Sequence, residues 1–229
     1  MSFRGEEFLW TQSAHSERRH YPFDTNLEGK SDEDIKKLFM DILKTGVHGF
    51  CFSLYADGQK PGDIIGEDQI RRRMEILAPH TNWVRSFSCT EGNELIPKVA
   101  KEMGIKTLVG GWLGDDPEIN EKEMEGLIKL CNEGLVDIAA VGNEVLYRND
   151  LSEEELLGFM KRVKDNIPNE IPMGYVDAYY EFTNHPRIVE LSDVILCNCY
   201  PYWEGCPHEY SLQHMQAMYH QAKAAAGDK

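Results

Sequence analysis

From residue 49 onward, short apolar runs alternate with longer amphipathic stretches. GFCFSLY (49–55) is followed by the helical pattern EDQIRRRMEILAP, and NWVRSFSC (82–89) by NELIPKVAKEMG. KTLVGGWLG (106–114) precedes a helix opening at Asp116-Pro117, a capping residue ahead of a first-turn proline. VDIAAVGNEVL (136–146) precedes a helix whose start, Ser152-Glu153-Glu154-Glu155, reads as a capping box. IPMGYVDAYY (171–180) leaves room only for a short helix around 185–191, and DVILCNCYPYW (193–203) leads into SLQHMQAMYHQAKAAAG. The apolar runs start near 49, 83, 107, 136, 171 and 194. One strand–helix unit thus recurs about every 30 residues, the spacing of a parallel sheet with crossover helices. The runs lack strict alternation, as expected of strands buried on both faces. Ahead of them SDEDIKKLFMDILKTG predicts another helix. Ser31 caps it with Asp34 three residues on, and Ile35, Leu38, Phe39, Ile42 and Leu43 share one face. Residues 1–30 show no period and are expected to form an irregular arm ahead of a single domain over 31–229.

Two α/β architectures accommodate this rhythm, an open doubly-wound sheet and a closed barrel. The first wants a phosphate loop after its first strand, but ADGQKPGDIIG contains neither GxGxxG nor GxxxxGK[ST]. The second wants polar and aromatic side chains at the carboxyl ends of several strands. Those ends carry Tyr55, Arg85, Trp112, Asn143-Glu144, Asp177 and Tyr202-Trp203. The expected fold is therefore a TIM-type (β/α)₈ barrel, of which about six of eight units are present.

Charge narrows the partners. Lys+Arg number 24 against 39 Asp+Glu, a net −15 that disfavours nucleic acid and anionic membranes as main partners. No apolar stretch reaches spanning length and MSFRGEEFLWTQ has no signal-peptide core, so a cytoplasmic location is expected. Six cysteines in a chain of this size, without an export signal, are expected to be free thiols, most of them buried in apolar runs.

The strongest local signal is VGNEV, residues 141–145. Strand alternation puts Ala140, Gly142 and Glu144 on one face, small residues beneath a carboxylate that could donate a proton. The competing reading is a solvated loop glutamate capping the next helix. The same parity groups Asn198, Tyr200 and Tyr202 as a polar wall and turns Cys197 and Cys199 toward helices. Arg85, among apolar neighbours, needs either a catalytic carboxylate or a structural ion-pair partner. Trp112, Trp203, Tyr55, Tyr179 and Tyr180 near strand ends suit sugar faces or plain rim packing. The histidines show no HExxH spacing, the cysteines no CxxC pair, and there is no GxSxG elbow, so neither a metal site nor a serine hydrolase is expected.

FCFSLYADGQ, APHTNWVRSFSCTEGNELIPKVAKEMGIKTLVGGWLG, VDIAAVGNEVLYR, YVDAYYEF and NCYPYWEG, in that order, resemble glycoside hydrolase family 17, the β-1,3-glucanases of the bacterial and fungal branch. The resemblance spans roughly residues 47–229. It implies a (β/α)₈ barrel performing retaining hydrolysis or transfer on β-1,3-glucan without a cofactor. Glu144 matches the family's acid/base, Asn143 the asparagine that holds the sugar 2-hydroxyl, Tyr202 the tyrosine near the nucleophile, and Arg85 the second-strand arginine. Tyr55 and Asp177 match positions near the donor sugar, and Phe87 stands where relatives often carry tyrosine. The family's nucleophile, a glutamate in a strand-seven motif like ETGWPS, has no counterpart here. The isolated chain is accordingly expected to be nearly inactive, and its open sheet edges to favour self-association.

Overall fold

The computed structural model describes residues 27–229, so the expected arm lies, up to residue 26, outside the described residues. Six strands form one sheet: β1 (Val47–Cys51), β2 (Thr81–Ser86), β3 (Lys106–Gly111), β4 (Ile138–Asn143), β5 (Met173–Ala178) and β6 (Val194–Asn198). Every neighbouring pair is parallel and the spatial order equals the chain order. A doubly-wound sheet reverses its strand order at a switch point. A sequential order with right-handed crossovers keeps every helix on one face and curls the sheet as a barrel wall.

The crossover helices arise where the periodic segments predict them. They are α2 (Glu67–Leu77), α3 (Ile96–Glu102), α4 (Pro117–Asn132), α6 (Glu153–Asn166), the short α7 (Glu181–Asn184) and α8 (Pro186–Leu191), and α9 (Ser211–Ala226). Between β4 and α6 stands the single turn α5 (Val145–Arg148). Asp116 caps α4 through the amides of Glu118 and Ile119, and Ser152 with Glu155 closes the capping box of α6. The main core lies between sheet and helices. Val109, Ala139, Val141, Met173 and Tyr175 face Met124, Leu127, Leu156, Met160 and Val163. A second cluster packs Val84 on Ile70, Met74, Ile96 and Val99. The other face of the sheet is the concave one.

Two expectations are corrected at the β1 end. β1 is not buried on both faces: it is an edge strand, and Gly49 and Cys51 are exposed because no strand pairs its outer side among the described residues. The helix ahead of it, α1 (Asp32–Thr45), has the expected Ser31–Asp34 capping box, yet buries no residue; Phe39 is 59% exposed. Amphipathic spacing reports a face that can be covered, and among the described residues this one is covered only in part: Ile35, Leu38, Ile42 and Leu43 are half-buried. All six cysteines are thiols as expected; Cys89, Cys131 and Cys206 are buried, Cys197 and Cys199 half-buried.

The β5–β6 contact is close enough to test. A Cβ at Gly174 would stand 2.3 Å from the Val194 carbonyl oxygen. Gly174→Ala must push the two strands apart and is expected to cost about 1–3 kcal/mol. A lowered urea midpoint at unchanged m value is the expected reading; an unchanged midpoint contradicts this packing.

Candidate active site

The site is made by an irregularity in β4. Ala140 pairs with Gly174 but Asn143 pairs with Val176, so three steps on β4 oppose two on β5. This is a β-bulge, which inserts one residue and re-aims the side chains after it. Gly142 takes up the extra residue at φ +82°, a backbone region glycine enters without a Cβ penalty. Glu144 follows, also left-handed at φ +55°. The alternation expected for residues 140, 142 and 144 therefore does not run through the bulge. Instead Asn143 and Glu144, adjacent in sequence, both meet the end of β6: Asn198 Nδ2 lies 2.7 Å from Glu144 Oε1 and 3.4 Å from Asn143 Oδ1.

Arg85 completes the cluster. Its Nη2 donates to Asn143 Oδ1 at 2.5 Å and its Nη1 to Asn198 Oδ1 at 3.3 Å, while the guanidinium carbon sits 4.4 Å from the centre of the Phe87 ring. The expected ion pair is not what holds it. Two amide oxygens do, and Nε, buried, has no hydrogen-bond partner among the described residues. Burial lowers the guanidinium's pKa, with Glu144 among the charges that oppose the fall. Tyr200 also belongs here: burial first, then the Glu144 charge, push its phenol up, and Arg85 pulls it down. A carboxylate, a buried cation, two amides and a phenol thus converge at the carboxyl ends of β2, β4 and β6.

Glu144 is kept in its left-handed conformation by hydrogen bonds on both sides. Its N–H donates to Val176 O at 2.8 Å and its carbonyl accepts from Arg148 N at 2.9 Å. In α5, Leu146 N donates to the Tyr175 hydroxyl at 2.9 Å and Tyr147 N to Asp177 Oδ2 at 3.3 Å, and that hydroxyl donates to the same carboxylate. Arg148 reaches back to the carbonyls of Asn143 and Leu113, pairs with Asp150, and lies 4.6 Å over the Trp112 ring. The carboxylate of Glu123, 1% exposed, accepts from Ser88 Oγ, Thr90 Oγ1, Cys89 N and Trp112 N at 2.6–3.0 Å, fixing the β2 loop to the end of β3.

The remaining expected residues make no hydrogen bond to this cluster among the described residues. Asp177 is 0% exposed. It shares strand parity with Met173 and Tyr175 and so lies on the helix-facing side, where its carboxylate serves the backbone of α5 and of Ala178. Tyr55 packs against the α2–α3 cluster. Tyr202 and Trp203 are 82% and 74% exposed and meet edge-to-face, with ring centres 5.7 Å apart. The parity expected to carry Tyr202 beside Asn198 fails because β6 ends at Asn198 and a turn begins at Pro201. Glu204, in that turn, accepts from Tyr179 and pairs with His214 Nε2 at 2.9 Å. Sequence reasoning missed Tyr175, Arg148 and Glu123. A charged residue at an inward position of α4, between Asn120 and Met124, was the signal for Glu123.

Burial moves Asp177 from 3.8 to about 6 despite its hydrogen bonds. The folded chain then binds this proton more tightly than the unfolded one, so its contribution to stability falls as pH rises from about 4 to about 6. The fall is on the order of 2 kcal/mol. Carboxylates held low, such as Glu67 and Glu154, slope the other way over this window. The reading is therefore the difference between wild type and Asp177→Asn in urea unfolding, which is expected to move against the wild type as pH rises from about 4 to about 6. A difference that stays constant over that range contradicts the assignment.

Comparison with known proteins follows the same lines. The family described as the BtgE/BtgC glycoside hydrolase domain matches residues 49–229. A glucan 1,3-beta-glucosidase of Schizosaccharomyces pombe is 27% identical over 175 residues, 70% of this chain and 53% of that protein. The glucan 1,3-beta-glucosidase BGL2 of Candida albicans is 24% identical, covering 57% of this chain and 48% of that protein. The chain thus spans about half the length of the curated relatives it matches. An active-site mutant of Rhizomucor miehei beta-1,3-glucanosyltransferase, solved with laminaritriose, superposes with a TM-score of 0.71 at 26% identity, over 81% of this chain and 69% of that one. A Bacteroides uniformis beta-glucuronidase shares the fold, with a TM-score of 0.57 at 15% identity over 78% of this chain and 23% of that one. The resemblance to family 17 holds, the sheet is a partial TIM barrel, and the chain belongs to the BtgE/BtgC glycoside hydrolase domain family.

Proposed function

We propose that this chain recognises β-1,3-glucan and carries the acid/base half of a retaining glycosidase site, with Glu144 as proton donor to the glycosidic oxygen. The observation that supports this most is the convergence of Asn143, Glu144, Arg85 and Asn198 at the carboxyl end of the sheet. The names of its relatives supply the substrate class. Asn143 is the group for a sugar hydroxyl beside the reacting carbon, and Trp112, Trp203 and Tyr202 offer ring faces at the rim. Tyr55, half-buried beside the α2–α3 cluster, is kept as a sugar-contact candidate near the donor side, whereas the Asp177 carboxylate is occupied by Tyr175 and α5.

Retention needs a second carboxylate about 5–5.5 Å from the first. The carboxylates identified around this end of the sheet are already committed: Glu123 to four donors, Asp177 to Tyr175 and α5, Glu204 to His214, Glu181 to His185. The 229-residue chain is therefore expected to bind glucan and turn it over negligibly, which also sustains the alternative of a non-catalytic glucan-binding role. Calorimetry with laminaritriose should show binding, weakened roughly fivefold by Trp203→Ala, the loss of about 1 kcal/mol of ring contact. Absence of binding overturns the glucan reading. Laminari-oligosaccharide turnover that disappears in Glu144→Gln overturns the expected inactivity.

A further inference from the structure

Cys197 and Cys199 flank Asn198 at the end of β6, with their sulfurs 3.9 Å apart. Both are half-buried on the helix-facing side, beside Tyr179 and Met218. The hydrogen bond between the two thiols brings Cys197 down to about 7, while that bond and burial push Cys199 up. An attacking thiolate in contact with a second, protonated thiol is the arrangement that thiol–disulfide exchange requires. The other thiols lack it. Cys89 and Cys131 are buried and their thiols pushed up by burial, and Cys51 lies on the exposed edge strand.

The backbone here has room to respond. Ala178–Asn198 is the last pair of the β5–β6 ladder, so Cys199 lies beyond it, and no strand pairs the outer edge of β6 among the described residues. Residues two apart in an extended strand have Cα atoms about 6.6 Å apart. A disulfide spans roughly 4.4–6.8 Å, most often 5.5–6 Å. Joining the two sulfurs therefore draws the chain together around Asn198, whose amide holds Glu144 Oε1 and Arg85.

We propose that Cys197 and Cys199 form a dithiol site that takes a low-molecular-weight disulfide of the glutathione class, closes to an intrachain disulfide and withdraws the Asn198 amide from Glu144. The Cys197 thiolate attacks one sulfur of the small disulfide and expels the first small thiolate. Cys199, giving up its proton, attacks the Cys197 sulfur and expels the second. Two protein thiols become one disulfide, the small disulfide becomes two thiols, and these carry away both protons. The consequence for activity rests on Glu144 being the acid, whereas the thiol chemistry does not.

The test treats the 229-residue chain with glutathione disulfide and maps chymotryptic peptides, in which cleavage after Tyr202 and Trp203 separates Cys197 and Cys199 from Cys206. The expected product is a Cys197–Cys199 peptide lighter by two hydrogens, restored by a dithiol reductant and absent in Cys197→Ser. In ¹⁵N-labelled protein the Asn198 side-chain amide resonance, identified by its loss in Asn198→Asp, is expected to shift on oxidation toward its position in Glu144→Gln. Mixed glutathione disulfides alone, or a disulfide containing Cys51 or Cys206, overturn the site. An Asn198 resonance unmoved by closure overturns the coupling. Both readouts are independent of glucan binding, so a chain that fails to bind laminaritriose while meeting them refutes the proposed function and leaves this inference standing.

Discussion

The extra residue in β4 is the constraint on which the rest of the site depends. A regular strand would send Asn143 and Glu144 to opposite faces, one toward the helices and one toward the concave side. The bulge at Gly142, followed by the left-handed backbone of Glu144, brings both within reach of Asn198. A non-glycine residue in that region is sparsely populated and persists only where its surroundings fix it. Here the fixing is done from β5 and α5: Val176 O holds Glu144 from one side, and Tyr175, Asp177 and Arg148 hold the following turn from the other. The buried Asp177 is thus a structural counterpart of the exposed chemistry, one strand away from it.

The electrostatic design is economical for a neutral substrate. The chain carries a net −15, yet the site's own charges are few: one carboxylate, one guanidinium, and amides between them. Holding Arg85 by amide oxygens leaves, among the described residues, its positive charge without an ion-pair partner and its Nε without a hydrogen-bond partner. A buried cation in that condition is costly unless an anion is supplied to it. The same centre is where two-carboxylate chemistry calls for a second acid.

Much of this was legible in the sequence, and the failures are local. The strand rhythm gives six parallel strands in chain order because apolar runs and capped amphipathic segments depend only on nearest-neighbour periodicity. VGNEV marks the site because a small residue and a carboxylate at a strand end leave room for a ligand. Parity failed twice, at Gly142 and after Asn198, since alternation holds only while the chain remains a regular strand. Arg85 was recognisable as needing compensation, but amides from residues 58 and 113 positions away cannot be read from its neighbours. Asp177 reads as a sugar-side residue because parity groups it with Met173 and Tyr175 without saying which face meets the helices, and only the packing of those two supplies that.

The most direct measurement is a crystal structure of the chain with laminaritriose bound. The account predicts a glucosyl unit on the concave face of the sheet, with hydroxyl or glycosidic oxygens within hydrogen-bond reach of Glu144 and Asn143. A trisaccharide seated instead on the helix-facing side, or in the shallow hollow lined by Asp115, Asp116, Pro117 and Glu118, with the Glu144–Asn198 cluster untouched, would contradict it.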